Sequence, residues 1–363
     1  MRQPRDPAPQ ARADCPNRDG DKNGDIVATV IIVNWNGREY LETCLGSLER
    51  QDFRRFEVVL VDNGSEDGSV GMVRTRFPGV TEIIENGRNL GFGVANNQAI
   101  VRARGRYIIL LNNDTEVDSG WLGALVAAAE TDASIGMCAS KILNFYRRDE
   151  IDNTGHLVYP DGLNRGRGRL EIDRGQYDGA REALFPSGCA ALYRRAMLEE
   201  IGLFDDTFFA YGDDTDLGLR GRLAGWRCAF VPEARVYHRY SATTGQYSAR
   251  KAFLVERNRV WVAVKTLPIS MLLVSPFYTL ARFALQGYGA LTGKGAAGRF
   301  TSEYSAASLI GVLLKAYWAA FAGLQHPLKE RRRILGRKKV SGGEIRRWFR
   351  EHGISAREIA LKD

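Results

Sequence analysis

Asn112, Asn113 and Asp114 follow five consecutive apolar residues, 107–111, with no transition. An uncharged polar pair and a carboxylate thus stand at the tip of a run that reads as a strand buried on both faces. A second carboxylate, Asp62, closes the run 56–62 and opens "VDNGSEDGS" (61–69). At a strand end it can accept hydrogen bonds from a ribose hydroxyl or a base N–H, although the same Gly/Asn/Asp composition also makes an ordinary turn. A third group lies in "FFAYGDDTDLGLRGRLAGW" (208–226), where Asp213, Asp214 and Asp216 fall within four residues. Three carboxylates so close repel one another, which raises at least one pKa unless a metal, an arginine or a function compensates. Capping of the following helix is the structural alternative. His238, one of only four histidines, follows the strand-like run 228–237 and is either a ligand or a structural group.

The elements around these residues read as strand, helix, strand from 27 to 111. The runs 27–34 and 56–62 are β-branched and too apolar to alternate, as parallel strands covered on both faces are. A helix over 38–50 separates them, residues 81–86 form a third strand, and 93–104 a helix leading into 107–111. Alternation of this kind predicts a doubly wound α/β sheet whose ligands gather at the carboxyl ends of its strands. Three such ends carry polar residues: Asn34, Asp62 and the group at 112–114. The segment "NLGFGVANN" (89–97) opens a helix with Gly-x-Gly, but Asn96 holds the place of the third glycine of a dinucleotide fingerprint. "NWNGRE" offers no glycine-rich first turn either, which argues against a dehydrogenase.

Residues 161–179 are polar and glycine-rich and read as a mobile loop. Beyond 252 the character changes. Segments 267–291 and 306–324 each contain one charge, Arg282 and Lys315. They predict either a buried helical pair or helices that lie in a bilayer interface or form a short membrane hairpin. Ten Lys/Arg against two Glu lie between 329 and 350, which equals the formal net charge of +8 for the whole chain. A polybasic stretch beside apolar helices favours an anionic membrane surface over nucleic acid, for which no reading motif is present. The chain of 363 residues, 44% hydrophobic, is long enough for two or three structural units. Five scattered cysteines form no CxxC or Cys/His cluster, which points to a reducing compartment. Residues 1–25 lack an apolar stretch and read as a disordered leader rather than a secretory signal.

Taken in order, "VIIVNWNG", "VDNGSEDGS", "NLGFGVANN", "LLNNDTEV", "PSGCAALYRR", "GLFDDTFFAYGDDTDLGLRGRLAGW" and "YHRYSATTG", followed by "ERNRVWVAVKTLP", closely resemble the family 2 glycosyltransferases. The resemblance spans roughly 28–265, with the flavour of a rhamnosyltransferase-type branch. It implies the GT-A fold, a Rossmann-like mixed sheet flanked by helices: a domain over 26–250, with a nucleotide-sugar half (26–117) and an acceptor half (118–250). Residues 251–363 would form a helical, basic, membrane-associated region. It also implies an inverting transfer from a UDP- or dTDP-sugar, with dTDP-rhamnose favoured, to a saccharide or polyprenyl-linked acceptor at the inner face of the cell membrane.

By residue-to-residue matching, Asn34, Asp62, Asn89, Gly91, Asn112 and Asn113 would bind the nucleotide-sugar. Asp114 and His238 would hold Mg²⁺ or Mn²⁺. Asp214 would be the catalytic base and Asp213 would orient the acceptor. Asn112 stands where the family often has a first aspartate, which would weaken the metal site and make it more dependent on donor phosphates. The competing expectation is a membrane-bound scaffold of the same fold that binds a nucleotide-sugar without reacting it.

Overall fold

The computed structural model describes residues 26–239 and 248–362. The expected leader, 1–25, and part of "YHRYSATTG" lie outside them. In chain order the first half runs β1 (Ala28–Asn34), α1 (Arg38–Glu49), β2 (Phe56–Asp62), α2 (Ser69–Arg76), β3 (Glu82–Glu85), α3 (Phe92–Arg102), β4 (Tyr107–Asn112), β5 (Thr115–Val117), α4 (Trp121–Glu130) and β6 (Ile135–Asn144). It continues with β7 (Ile151–Asn153), β8 (His156–Val158), β9 (Asn164–Gly166), β10 (Ala190–Arg194), α5 (Arg195–Ile201), α6 (Asp213–Leu223) and β11 (Arg227–His238). Seven helices follow: α7 (Ala249–Thr266), α8 (Ile269–Thr292), α9 (Gly295–Glu303), α10 (Ala306–Ala322), α11 (Gln325–Gly336), α12 (Gly342–Glu351) and α13 (Ala356–Leu361).

The main sheet has the order β3-β2-β1-β4-β10-β6-β11-β5, with β7 added beside β6. Strands β3, β2, β1 and β4 are parallel; β10 is antiparallel to both β4 and β6, and β11 is parallel to β6. The sheet is therefore mixed, as the resemblance implies. Both faces are covered, so the strands need no polar side. Val30 and Ile32 of β1 pack into a core with Leu41 and Leu45 of α1 and Trp121 and Leu125 of α4. Ile31, between them, packs with Ala95 and Ala99 of α3 and Leu217 of α6. That two-sided burial is why the strand sequences do not alternate.

Residues 161–179 differ from expectation. They contain β9, which pairs with β8, and two carboxylates that reach a buried lysine. Lys141 of β6 has its side chain 1% exposed and pairs with Asp173 at 2.9 Å and Asp178 at 2.6 Å. A buried ammonium needs such partners, and the polar composition of the segment supplies them.

Candidate active site

Pairing of β5 with β11 puts Thr115 opposite His238, and the Arg239 N–H donates to the Asp114 carbonyl at 3.1 Å. The side chains of Asp114 and His238 are thereby brought together across more than a hundred residues, with Asp114 Oδ1 3.4 Å from His238 Nε2. Pairing of β7 with β6 brings in Asp152, whose Oδ2 lies 2.7 Å from His238 Nδ1. Arg169 bonds the other Asp152 oxygen at 2.8 Å.

Asp114 and His238 are buried, and Asp152 is nearly so. Burial opposes an imidazolium at His238, but the fields of Cys189 and Asp114 and the hydrogen bond to Asp152 hold its pKa well above the usual value. Asp152, by contrast, is pushed up by burial, yet the His238 hydrogen bond and the charges of His238 and Arg169 hold its carboxyl below the ordinary range.

These residues fit a divalent cation. Asp114 Oδ1 is buried and makes no hydrogen bond. The far nitrogen of His238 is oriented by a carboxylate, as metal-bound imidazoles commonly are. Among the described residues no group of three or more His, Cys, Asp or Glu converges as a complete cage. Water and donor phosphates would complete the coordination, in the manner usual for Mg²⁺.

Asp214 sits one residue into α6. Its Oδ2 accepts from the Gly188 N–H at 3.1 Å, and Oδ1 accepts from Thr215 N–H at 2.7 Å. The Nε2 of His156 approaches Oδ2 at 3.6 Å, and the ring stacks on Phe185 at 5.1 Å. Burial lowers the His156 pKa against the raising pull of Asp214 and Asp152, leaving a neutral ring near neutral pH. Asn153 Nδ2 lies 3.3 Å from the same His156 nitrogen. Consecutive residues of β7 therefore link both ends of the site: Asp152 orients His238, and Asn153 reaches His156 beside Asp214.

The acidic trio resolves into three environments. Asp216 is fully buried and paired with Arg220 at 2.8 Å and Lys265 at 2.6 Å, a structural role. Asp214 keeps part of its surface on the cavity. Asp213 is buried with Oδ1 unpartnered, and burial, then the charge of Asp214, pushes its pKa up to about 8. It is therefore a hydrogen-bond donor at neutral pH.

A folded pKa above the ordinary carboxylate value of about 4 means that the folded chain keeps a proton the unfolded chain has released. Stability on this account falls as pH rises from about 4 to about 8. Asp213→Asn should therefore raise the melting temperature by a few degrees near pH 8 and hardly at all below about pH 4, read by calorimetry.

The loop before α6 holds Phe209 and Tyr211 at φ 68° and 66°, in the left-handed region that non-glycine residues avoid. Asn258 of α7 holds it there: its Nδ2 donates to the carbonyls of Phe208, Ala210 and Tyr211 at 3.2, 2.9 and 2.6 Å. Asn258→Ala leaves those carbonyls short of a donor and should cost about 1–3 kcal/mol, seen as a lower midpoint in urea.

Asn89, Gly91, Asn112, Asn113, Asp114, Asp213, Asp214 and His238 all line one cavity of about 780 Å³. Asn34 and Asp62 stand behind that lining. Asn34 is fully buried; its amide donates to Asp62 (3.1 Å), Ser65 (3.1 Å) and Ser69 (2.9 Å), and its carbonyl accepts from Asn113 at 2.7 Å. Asp62 Oδ2 accepts from the N–H groups of Gly64 and Ser65 at 3.1 and 2.8 Å. Gly37 is required by this hub, since a Cβ there would meet Asn113 Nδ2 at 2.1 Å. Asn63, the residue after Asp62, reaches the cavity instead and donates to the Gly91 carbonyl at 3.2 Å.

Asp152, Asn153 and His156 were not among the expected site residues, and no motif marks them. The only hint is that His156 is one of four histidines. Arg250 and Lys251 of α7 also line the cavity, against the rings of Phe209 (4.6 Å) and Tyr211 (5.4 Å).

Residues 29–202 match the profile of glycosyl transferase family 2. An N-acetylglucosaminyl-diphospho-decaprenol L-rhamnosyltransferase of Mycobacterium tuberculosis is 28% identical over 274 residues, covering 65% of this chain and 86% of the relative. Among solved structures, GalNAc-T7 with UDP, GalNAc and Mn²⁺ superposes with a TM-score of 0.56 at 18% identity, over 84% of this chain and 58% of that one. The mannosyltransferase PcManGT of Pyrobaculum calidifontis, in complex with GDP-Man and Mn²⁺, gives 0.52 at 17% identity, over 84% and 91%. The structural likenesses speak to the GT-A fold alone; with the profile match and the relative in sequence, residues 29–202 of this chain form a glycosyl transferase family 2 domain.

Proposed function

We propose that the protein transfers a sugar, with inversion, from a UDP- or dTDP-sugar to a hydroxyl of a saccharide or polyprenyl-linked acceptor in the synthesis of cell-surface polysaccharide. The relative that transfers rhamnose to a decaprenyl-linked substrate favours dTDP-rhamnose as donor and the inner face of the cell membrane as location. The observation that carries the reading is the shared cavity: Asp214 at one wall and the Asp114–His238 pair at the other, joined through Asp152, Asn153 and His156.

The Asp214 carboxylate takes the proton of the acceptor hydroxyl as its oxygen attacks the anomeric carbon from the face opposite the diphosphate. Gly188 N–H and the Thr215 N–H hold that carboxylate in place, and the neutral His156 ring beside it adds no charge that would weaken it as a base. Protonated Asp213 offers a donor to an acceptor oxygen. Asn89, Gly91 and Asn63 give polar contacts at the nucleoside end, with Asp62 and Asn34 bracing the loop that carries Asn63. A divalent cation, Mg²⁺ or Mn²⁺, held by Asp114 and His238 would neutralise charge on the leaving diphosphate.

A thermal-shift comparison of UDP, dTDP and GDP with and without Mn²⁺ tests the reading. One nucleotide should raise the melting temperature in proportion to its saturation, more so with Mn²⁺, because it binds only the folded chain. No shift with any nucleoside diphosphate would overturn it.

A further inference from the structure

Helix α8 is amphipathic the wrong way round. Its inner face carries Ser275, Thr279, Arg282 and Gln286, with Arg282 fully buried. Its outer face carries Ile269, Leu273, Phe277, Leu280, Tyr288 and Leu291, all exposed. These six recur at spacings of three, four and eight residues, so they share one helical stripe. Helix α10 repeats the arrangement: Ala316 and Ala320 are buried, Trp261 of α7 donates to the Ala320 carbonyl, and Ile310, Leu314, Trp318 and Phe321 point outward. The two helices meet where Phe283 and Tyr317 stack edge-on at 6.1 Å. Most of the large apolar side chains exposed among the described residues belong to this stretch, far beyond the isolated exposures that a water-facing surface carries.

α8 is also the one helix among the described residues that is, by itself, long and apolar enough to cross a membrane. Its middle is tied down in a way that forbids crossing. The Arg282 guanidinium bonds Asp161 at 2.9 Å and the two Glu256 oxygens at 2.7 and 3.0 Å. Arg259 completes a neutral quartet, bonding Glu256 at 3.1 Å and the Asp161 carbonyl at 2.8 Å. The residues after Asp161, from Gly162 to Arg165, and Arg259 itself line the cavity described above. Spanning would draw this quartet and the cavity wall into hydrocarbon, where neither the charges nor irregular backbone is tolerated.

We propose that α8 and α10 form a docking face that lies flat in the headgroup–acyl boundary of an anionic lipid bilayer, without crossing it, and that the Arg282 quartet sets the angle between that face and the cavity. Charge complementarity selects this occupant over a second copy of the chain. From 267 to 350, leaving out the neutralised Arg282, there are thirteen Lys/Arg against three Glu, while the remainder of the chain carries a net negative charge. Lys315 lies one residue from Leu314 and three from Trp318 in the outward region of α10, and Lys294 and Lys329 are exposed beside the helix ends. Apolar insertion and attraction to anionic headgroups are then two additive contributions to binding. Trp318 and Tyr288 are of the amphipathic type that settles at a membrane–water boundary. The proposal is independent of the transfer chemistry, since such a face would dock a chain that transferred nothing.

The test uses the full chain and vesicles of phosphatidylcholine with or without phosphatidylglycerol. The protein should sediment with the phosphatidylglycerol vesicles, more weakly with phosphatidylcholine alone, and be released completely by alkaline carbonate. The triple variant Leu273→Glu, Phe277→Glu, Trp318→Glu changes side chains that are 71%, 72% and 75% exposed, so the fold and the melting shift with UDP or dTDP should persist. Its vesicle affinity should fall by at least about tenfold, a modest demand for three large apolar groups replaced by charges. Three results overturn the proposal: equal sedimentation of the variant, retention of the native chain through the carbonate wash, or no vesicle binding with a native dimer that the variant abolishes. Loss of the nucleotide shift with vesicle binding intact would instead count against the transferase reading alone.

Discussion

Asp214→Asn should lower the rate of sugar transfer by about 10²- to 10⁴-fold, the usual worth of a positioned general base. Binding of the nucleoside diphosphate should be unchanged. The amide keeps the shape of the carboxylate, and its oxygen can still accept from Gly188 or Thr215, but it cannot take a proton. Nothing in the change reaches the Asp114–His238 pair, so the melting shift with nucleotide and Mn²⁺ should match the native chain. Single-turnover transfer measured beside that shift separates the two quantities. Near-normal transfer by the variant at neutral pH would remove Asp214 from the mechanism. His156→Gln makes a useful companion, since a rate loss much smaller than that of Asp214→Asn is expected of a group that positions the base rather than acting as one.

The second large effect concerns the cation. Asp114→Ala and His238→Ala should each weaken Mn²⁺ binding by at least about 100-fold, since each removes one of only two protein donors in the described site. Asp152→Asn should weaken it by roughly 10- to 100-fold without touching the ion, because it loosens the hydrogen bond that orients the His238 ring. Electron paramagnetic resonance of free Mn²⁺ in the presence of UDP or dTDP reads all three directly, without any turnover. A graded series, with the two ligands worst and Asp152 between them and the native chain, is the expected pattern. Equal binding by Asp114→Ala would show that the orphaned carboxylate oxygen faces something other than a metal.

Much of the fold was legible because it depends on burial along single elements. The β-branched runs at 28–34 and 56–62, the apolar run ending at Leu111 and the helices between them all occur where their sequences indicate. Their polar ends coincide with the cavity or its immediate support. The acidic trio was legible as a conflict of charge, and its resolution was not. Asp216 finds Lys265 forty-nine residues on, while Asp213, which keeps a proton, and Asp214 both line the cavity.

The residues that escaped notice are those whose meaning lies in a partner. Asp152 belongs to a short strand with no motif, and pairing of β7 with β6 is what lays it against His238. Residues 161–179 read as a loose loop because the buried Lys141 that their carboxylates satisfy lies elsewhere in the chain.

Sequence by itself determined the strands, the helices, the chemical types gathered at the strand ends, and the presence of two unusually apolar helices beside a basic stretch. Only the tertiary structure decided that Asn34 and Asp62 brace the cavity rather than line it, that β7 connects both ends of the site, and that α8 turns its polar stripe inward. The physical reason is the same in each case. Periodicity records whether a side chain is covered, but what covers it is set by register and packing between elements far apart in the chain, and the partners of a charge such as Arg282, at 161 and 256, are found only in the fold.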